Sequence, residues 1–196
     1  MPLPLRKDDD LFTYADYLAW PENESWELIE GIPFDMSPAP TPYHQEILGN
    51  LFLEINKVPK EKRGKCKIYI APFDVRLPEG KEADDEILTV VQPDISVICD
   101  PEKVDNKGCK GAPDFIIEIT SPATAKKDMK YKLLLYEKHG VPEYWVVLPE
   151  DNLVMVYKLN EQRKYGREEV FAKGDVIQLK LKEGVEPVEI NLEAVF

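Results

Sequence analysis

Residues 111–149 decide the fold, and their sequence is GAPDFIIEITSPATAKKDMKYKLLLYEKHGVPEYWVVLP. The first apolar run predicts a strand, and Ser121 or Thr124 is well placed to cap a following helix. That helix is predicted to run from about Lys127 to His139. A second apolar strand is predicted at residues 141–148. Because the connection is long enough for a crossover, the two strands are predicted to be parallel and linked right-handedly.

Glu118 is the acid inside the first of these strands. Side chains alternate along a strand, so Glu118 shares one face of the sheet with Ile116 and Thr120, opposite the face of Ile117 and Ile119. A buried carboxylate without a partner is strongly destabilising. The sequence therefore predicts that a partner residue or a metal ion satisfies Glu118.

Further elements are predicted on both sides of this unit, and the pattern as a whole predicts an α/β (α+β) fold with a mixed central sheet flanked by helices. They are a helix at 11–20, a hairpin at Trp26–Met36, a helix at His44–Ile55, strands at Cys66–Leu77 and Val90–Cys99, and antiparallel strands from Asp151 that extend the sheet. Glu30-Gly31 supplies the hairpin turn, and both Glu27 and Glu30 are expected to face solvent. Residues 37–43 form a Pro-rich connection. Residues 57–65 form a basic, solvated loop, which is the best local candidate for a phosphate contact.

Length and composition favour one domain over residues 1–196, with a core at about 26–149 and a C-terminal β extension at 151–196. No apolar run approaches the roughly 20 residues that span a bilayer, and the N-terminus lacks the apolar core of a signal peptide, so a cytoplasmic protein that does not contact membranes is expected. The three cysteines lack CxxC spacing and suggest neither a disulfide framework nor a zinc site. The net charge of -12 disfavours tight nonspecific binding of nucleic acid.

Two acids lie in consecutive predicted strands, Asp94 in the first and Glu118 in the next. If these strands are neighbours in register, both carboxylates leave one face of the sheet and can share Mg²⁺ or Mn²⁺, which favour oxygen ligands. The alternative is two acids at strand ends, each satisfied by a cap or a lysine. In the following helix, Asp128 and Lys132 are four residues apart, which would make an ordinary surface ion pair if the helix stood alone.

These features together resemble a known family. The motifs are Pro93-Asp94, then Glu118-Ile119-Thr120-Ser121-Pro122, then Asp128, Lys132 and Tyr136, then Gly140-Val141-Pro142-Glu143-Tyr144-Trp145, preceded by WELIEGIPFDMSP and His44. In this order, over roughly residues 26–149, they resemble the restriction-endonuclease-like family of the PD-(D/E)XK nuclease superfamily. The resemblance implies a restriction-endonuclease-like core and a Mg²⁺-dependent phosphodiesterase site.

The resemblance also implies roles for individual residues. Asp94 and Glu118 match the two acidic metal ligands, and the catalytic set is Asp94, Glu118 and Lys132. The lysine that usually follows the second acid by two residues is replaced by Thr120. In this branch the lysine has moved to the following helix, where Lys132 is its counterpart and Lys126, Lys127 and Lys130 match less well by spacing. Lys132 would orient the attacking water or stabilise the negative charge of the phosphorane.

Several further residues could lie close to this site. Asp74 and Glu46 are candidate outer ligands, Asp128 belongs to the helix motif, and His44 begins its helix either as a structural residue or facing the site.

Two functions are consistent with these observations. The first is a Mg²⁺- or Mn²⁺-dependent endonuclease that cuts DNA with modest, salt-sensitive affinity, with a homodimer expected from apolar edges in the C-terminal strands. The alternative is a catalytically inactive module with the nuclease fold, which acts in binding or assembly and in which Asp94, Glu118 and Lys132 form a buried charge cluster.

Overall fold

The computed structural model describes residues 11–21, 24–36, 39–59, 63–181 and 186–196. The helices are α1 (Tyr14–Leu18), α2 (Pro42–Asn56) and α3 (Leu133–His139), and α3 continues directly from a π-helical segment at Lys127–Lys132. The strands through the central strand are β1 (Trp26–Ile29), β2 (Ile32–Asp35), β3 (Lys67–Ile70), β4 (Val75–Arg76), β5 (Val90–Val91), β6 (Ile95–Ile98), β7 (Val104–Asp105), β8 (Gly108–Lys110) and β9 (Phe115–Ile119). The later strands are β10 (Glu143–Leu148), β11 (Leu153–Lys158), β12 (Glu169–Ala172), β13 (Val176–Leu179) and β14 (Val188–Asn191).

The larger part of the core surrounds a mixed sheet with the strand order β12-β11-β10-β9-β6-β3. Within it β9 and β10 are parallel, with Phe115 opposite Glu143 and Ile119 opposite Val147, while β6 is antiparallel to β9. The π-helical segment and α3 form the connection between the parallel pair. The predicted strand, crossover helix and strand are therefore confirmed, as is the mixed α+β fold class with helices flanking the sheets.

The predicted C-terminal extension is correct in part. Strands β11 and β12 continue the mixed sheet by antiparallel pairing. Strands β13 and β14 instead form a separate two-stranded sheet, and Ile177 and Ile190 of that sheet join the same apolar cluster as Ile47 and Leu51 of α2. The prediction that all C-terminal strands extend one sheet was wrong, because the last hairpin buries its apolar face against a helix.

Two segments predicted as single strands each divide between two sheets. Residues 66–77 form β3 and β4 on either side of Pro72, and residues 90–99 form β5 and β6 on either side of Pro93. Strands β3 and β6 belong to the mixed sheet, whereas β4 and β5 belong to a second sheet with the order β2-β1-β5-β4-β8-β7. A proline offers no N–H to a ladder, which favours a break there. Asp94 consequently lies where the chain passes from one sheet to the other.

The two faces of β9 are buried against different helices. Ile117 and Ile119 belong to the apolar cluster that contains α2. Ile116 belongs to a second cluster, which contains Leu135 and Tyr136 of α3. The predicted alternation along this strand is confirmed, and Glu118 therefore faces α3 and the segment before it.

The N-terminal hairpin has the predicted turn. Strands β1 and β2 pair antiparallel, with Ile29 opposite Ile32. Glu30 and Gly31 between them both have positive φ, 50° and 75°, as a two-residue type I′ turn requires. The hairpin joins the second sheet, because Leu28 also pairs with Val90 of β5. This placement brings the hairpin close to the site.

Cys66 and Cys99 form a disulfide, and Cys109 is a buried free thiol. The expectation that no disulfide forms was wrong. The antiparallel register of β3 and β6 pairs Lys67 with Ile98, and its continuation sets Cys66 opposite Cys99. Such cross-strand proximity is a tertiary property that the spacing of the cysteines along the chain does not show.

Some expectations concern segments outside the described residues. These segments are the N-terminal residues 1–10, residues 37–38 of the Pro-rich connection and residues 60–62 of the basic loop. Among the helices in the described ranges, none combines the length and the apolar character needed to cross a membrane.

Candidate active site

Glu118 is buried on β9, with 4% of the residue exposed. Its Oε1 accepts hydrogen bonds from Lys132 Nζ at 2.7 Å and from Tyr136 Oη at 2.8 Å. Lys132 lies in the π-helical segment and Tyr136 in α3, so the helix places both side chains over the strand. The acid inside the apolar strand is thus satisfied by two residues of the helical stripe that the sequence singled out.

Glu27 of β1 is the second acid bound to Lys132. Its Oε1 lies 2.7 Å from Lys132 Nζ and accepts a hydrogen bond from the backbone N–H of Gln92 at 3.0 Å, while Oε2 accepts one from Lys127 Nζ at 2.7 Å. The residue is fully buried. The prediction that Glu27 faces solvent was wrong, because every residue of β1 is buried and alternation therefore gives no information. Its counterpart Glu30 is exposed, as expected.

Sequence reasoning missed Glu27, Lys127 and Gln92 as members of this cluster. A signal for Glu27 existed, since it lies between Trp26 and Leu28 in a short apolar strand. That is the same anomaly that pointed to Glu118.

Asp94 lies beside Glu118 at the passage between the sheets. The register of β6 and β9 pairs Ile95 with Ile117, and its continuation sets Asp94 opposite Glu118. Asp94 Oδ2 accepts a hydrogen bond from the backbone N–H of Ile119 at 2.7 Å and lies 3.4 Å from His44 Nε2. The two acids predicted to share a face are therefore cross-strand neighbours.

His44 reaches the site from the first turn of α2, which Thr41 caps. Burial lowers the pKa of His44, but the hydrogen bond and charge of Asp94 outweigh burial and raise the pKa overall. His44 therefore faces the site and holds the Asp94 carboxylate in place. It has both of the roles considered from the sequence, as a structural residue and as a residue facing the site.

The remaining candidates divide between the site and its surroundings. Asp128 is 3% exposed and its Oδ1 lies 3.9 Å from Lys132 Nζ, so this is a buried pair and not the surface pair expected for an isolated helix. Thr120 donates from Oγ1 to the carbonyl of Val147 at 3.1 Å, which is a bond within the sheet. Glu46 is exposed on α2.

Asp74 contacts the cluster through an intermediary. Its Oδ1 accepts hydrogen bonds from Tyr17 Oη at 3.0 Å and from Gln92 Nε2 at 2.8 Å. The backbone N–H of the same Gln92 donates to Glu27, so Gln92 connects Asp74 to Glu27.

The cluster carries more negative than positive charge. Its four acids are Glu27, Asp94, Glu118 and Asp128, and its two lysines are Lys127 and Lys132, which leaves an excess of two negative charges when all are ionised. Burial and then the neighbouring acids raise the pKa of Glu118 to about 8, although Lys132 opposes this. Burial also raises the pKa of Asp128. An added cation would offset the excess.

The pKa values of Glu27 and Lys132 shift in opposite directions. Burial raises the pKa of Glu27, but the charges of Lys132 and Lys127 outweigh burial and lower it to about 2. Burial lowers the pKa of Lys132, but Glu118, Glu27 and Asp128 raise it above its ordinary value. Lys132 therefore stays protonated near neutral pH and cannot serve as a general base there.

Asp94 and Glu118 supply carboxylate oxygens from neighbouring positions, and such oxygens are the ligands that Mg²⁺ and Mn²⁺ prefer. Over the described ranges, the hydrogen bonds and ion pairs of these acids involve Asp94 Oδ2 and Glu118 Oε1, and not the second oxygen of either carboxylate. The same part of the chain contains no ready-made group of three or more His, Cys, Asp or Glu ligands. Mg²⁺ needs no such group, since it commonly binds one or two carboxylates and fills its shell with water and substrate phosphate.

Replacing Glu27 by glutamine is expected to lower the free energy of unfolding in a pH-dependent manner. A depressed pKa stabilises the fold above the ordinary value of 4.5, and this stabilisation is lost as the pH falls toward about 2. The shift corresponds to roughly 3 kcal/mol. Urea denaturation of both proteins should therefore show this difference at pH 7 and a progressively smaller one between pH 4 and pH 3.

Glu30→Gln is the matched control, because Glu30 lies in the same hairpin with its side chain 57% exposed. It should change the free energy of unfolding by no more than about 0.5 kcal/mol. A loss in Glu27→Gln that is the same at pH 7 and pH 3 would show that Glu27 does not stabilise the fold through its charge.

Comparison with known proteins identifies similar chains. A family model described as "Uma2: Putative restriction endonuclease" matches residues 14–193. Among solved structures, the fold matches the crystal structure of a putative nuclease belonging to DUF820 from Anabaena variabilis ATCC 29413, with a TM-score of 0.69 and 23% sequence identity. That match covers 94% of this chain and 97% of the other. No curated protein matches the sequence.

Proposed function

This chain belongs to the Uma2 family, described as putative restriction endonucleases, and from this membership we propose that it is a Mg²⁺- or Mn²⁺-dependent endonuclease that hydrolyses DNA phosphodiester bonds. One observation carries the proposal. Asp94 and Glu118 lie opposite each other on neighbouring strands, and Lys132 Nζ is 2.7 Å from Glu118. Two carboxylates and one lysine are the groups that the resemblance assigned to phosphodiester hydrolysis.

Asp94 and Glu118 would hold the divalent cation. When bound, such an ion lowers the pKa of water and offsets the negative charge of the scissile phosphate. The chain's own residues orient these acids, because the Ile119 N–H and His44 fix Asp94 while Tyr136 and Lys132 fix Glu118. Each carboxylate thereby enters the reaction with one oxygen already held.

Lys132 supplies a permanent positive charge beside these acids. In the hydrolysis, a water oxygen bonds to phosphorus and gives up one proton, while the bond from phosphorus to the leaving oxygen breaks and the leaving oxygen gains a proton. Lys132 remains protonated because three acids raise its pKa. It is therefore suited to stabilise the added negative charge of the transition state and not to remove a proton from water.

The surface charge shapes the expected DNA affinity. A net charge of -12 opposes the approach of a polyanion, so affinity should be modest and should fall as salt rises. We also propose that the chain acts as a single domain and as a homodimer, since β12 is an edge strand of the mixed sheet and Val170 on it is 54% exposed.

The competing proposal is an inactive module that uses the same fold for binding or assembly. The burial of Lys132, with only 2% of its side chain exposed, favours this inactive module. Lys132 would then neutralise buried acids without meeting a substrate.

A nicking assay separates the two proposals. Supercoiled plasmid is incubated with Mn²⁺ and the wild-type chain, Asp94→Asn, or Asp85→Asn as an exposed control acid. We expect the wild type and Asp85→Asn to nick the plasmid equally, and Asp94→Asn to be slower by at least about a hundredfold. If the wild type does not nick over a range of Mn²⁺ and salt concentrations, the inactive module is the better proposal. Equal rates in Asp94→Asn would indicate a contaminating nuclease.

A further inference from the structure

The π-helical segment Lys127–Lys132 gives the site an unusual arrangement of lysines. In an α-helix, residues five apart point about 140° away from each other. In a π-helix, hydrogen bonds join residues five apart, so such residues lie on the same side. Lys127 and Lys132 are five apart, and both reach the carboxylate of Glu27 at 2.7 Å, one to each oxygen. The π-helical segment is therefore what brings the second lysine into the cluster.

The two lysines differ in their access to solvent. Lys132 is surrounded by Glu27, Glu118 and Asp128, and 2% of its side chain is exposed. Lys127 has 14% of its side chain exposed and is ion-paired with Glu27. Of the two lysines, Lys127 is therefore the more accessible to an anion from solvent.

We propose that Lys127 contacts a backbone phosphate of the DNA next to the scissile bond, and that Glu27 holds its ammonium group in position beforehand. This inference rests on the proposed nuclease function and adds a substrate-contacting residue to it. A long side chain loses rotamer entropy when it is immobilised on a ligand, so a lysine already held by a carboxylate loses less. The side chain of Lys127 is 14% exposed, and its ammonium group has further N–H donors beyond the one that Glu27 accepts.

The neighbouring lysines provide matched controls. Residues 126–132 contain four lysines in a chain of net charge -12, and Lys126 and Lys130 of this set are exposed. They carry the same charge on the same stretch of helix as Lys127. A general attraction between this stretch and DNA would affect all of them alike, whereas a specific contact would be confined to Lys127.

The test measures the affinity for a short DNA duplex without divalent metal, by fluorescence anisotropy at several salt concentrations. The variants are Lys127→Gln, Lys126→Gln and Lys130→Gln. Loss of one phosphate contact should reduce the slope of log affinity against log salt by about 0.9 in Lys127→Gln and by clearly less in the two controls. In the nicking assay, the rate at subsaturating DNA should fall about tenfold in Lys127→Gln alone, because the lost contact weakens DNA binding. If Lys127→Gln behaves like the controls in both assays, the inference is wrong.

Two additional variants distinguish a contact from a structural role. Lys127→Arg keeps the charge and should retain most of the affinity and salt slope. If Lys127 only neutralises Glu27, the double variant Glu27→Gln/Lys127→Gln should bind DNA as the wild type does, which would overturn the inference. If Lys127 contacts phosphate, the double variant should remain as weak as Lys127→Gln.

The outcomes also separate this inference from the proposed function. A wild-type chain that binds DNA but does not nick it, with binding weakened selectively in Lys127→Gln, would support the contact and contradict the endonuclease. A nicking wild type with no selective effect at Lys127 would support the endonuclease and contradict the contact. A wild type that does not bind DNA at low salt would contradict both.

Discussion

Replacing Lys132 by methionine is expected to lower the free energy of unfolding by about 3–5 kcal/mol and to abolish nicking. Lys132 Nζ lies 2.7 Å from both Glu27 and Glu118, and both acids are buried. Methionine has a similar volume, so the loss would come from Glu118 losing its ammonium partner and Glu27 keeping only Lys127, and not from a cavity. Urea denaturation at pH 7 and the plasmid assay measure the two effects.

Lys130→Met is the control for this substitution, because Lys130 is exposed in the same π-helical segment. It should change the free energy of unfolding by no more than about 0.5 kcal/mol. The double variant Lys132→Met/Glu118→Gln should regain part of the lost stability but none of the activity, since the acid left without an ammonium partner has been removed. A loss of less than about 1 kcal/mol in Lys132→Met would show that the buried ion pairs do not hold the site together.

Replacing Glu118 by glutamine is expected to reduce nicking strongly and to change the free energy of unfolding little. Nicking should fall at least about a hundredfold, since one of the two cation-binding carboxylates is lost. The free energy of unfolding should change by less than about 1 kcal/mol, because burial and neighbouring acids already disfavour the charge of Glu118 and raise its pKa to about 8. Lys132 would keep its contact with Glu27.

Glu150→Gln, which removes an exposed acid just beyond β10, is the control for this substitution. It should leave both activity and stability unchanged. Lys132→Met and Glu118→Gln thus form a contrasting pair, in which the first loses fold stability and activity while the second loses activity alone. A Glu118→Gln variant that unfolds as readily as Lys132→Met would contradict the proposed division between a structural cation and a catalytic acid.

Local patterns predicted the part of the fold that depends on neighbours in sequence. The apolar run around Glu118, the helix after Ser121 and the strand at 143–148 follow from periodicity and capping, and the structure confirms the parallel pair that they form. The division of residues 66–77 and 90–99 between two sheets could not be predicted, because the choice of sheet depends on distant strands. Pro72 indicated an interruption in the first of these segments, whereas the second was predicted as one continuous strand despite Pro93.

The candidate site was predictable to the extent that its residues belong to motifs. Asp94, Glu118 and Lys132 were singled out from the sequence, and the structure brings them together. Glu27 is 67 residues from Asp94 in the chain, and only the packing of the hairpin against β5 places it there. Lys127 was ranked below Lys132 because a spacing of four describes an α-helix, whereas the position of Lys127 depends on a π-helical segment.

The proposed function requires Asp94 and Glu118 to bind a divalent cation together, beside Lys132. The most direct test is a calorimetric titration of Mn²⁺ into the wild-type chain and into the double variant Asp94→Asn/Glu118→Gln, with folding of both verified by circular dichroism. We expect the wild type to bind one Mn²⁺ at millimolar concentration or below, and the double variant to bind none. Absence of binding by the wild type at millimolar Mn²⁺, or equal binding by both proteins, would contradict this expectation.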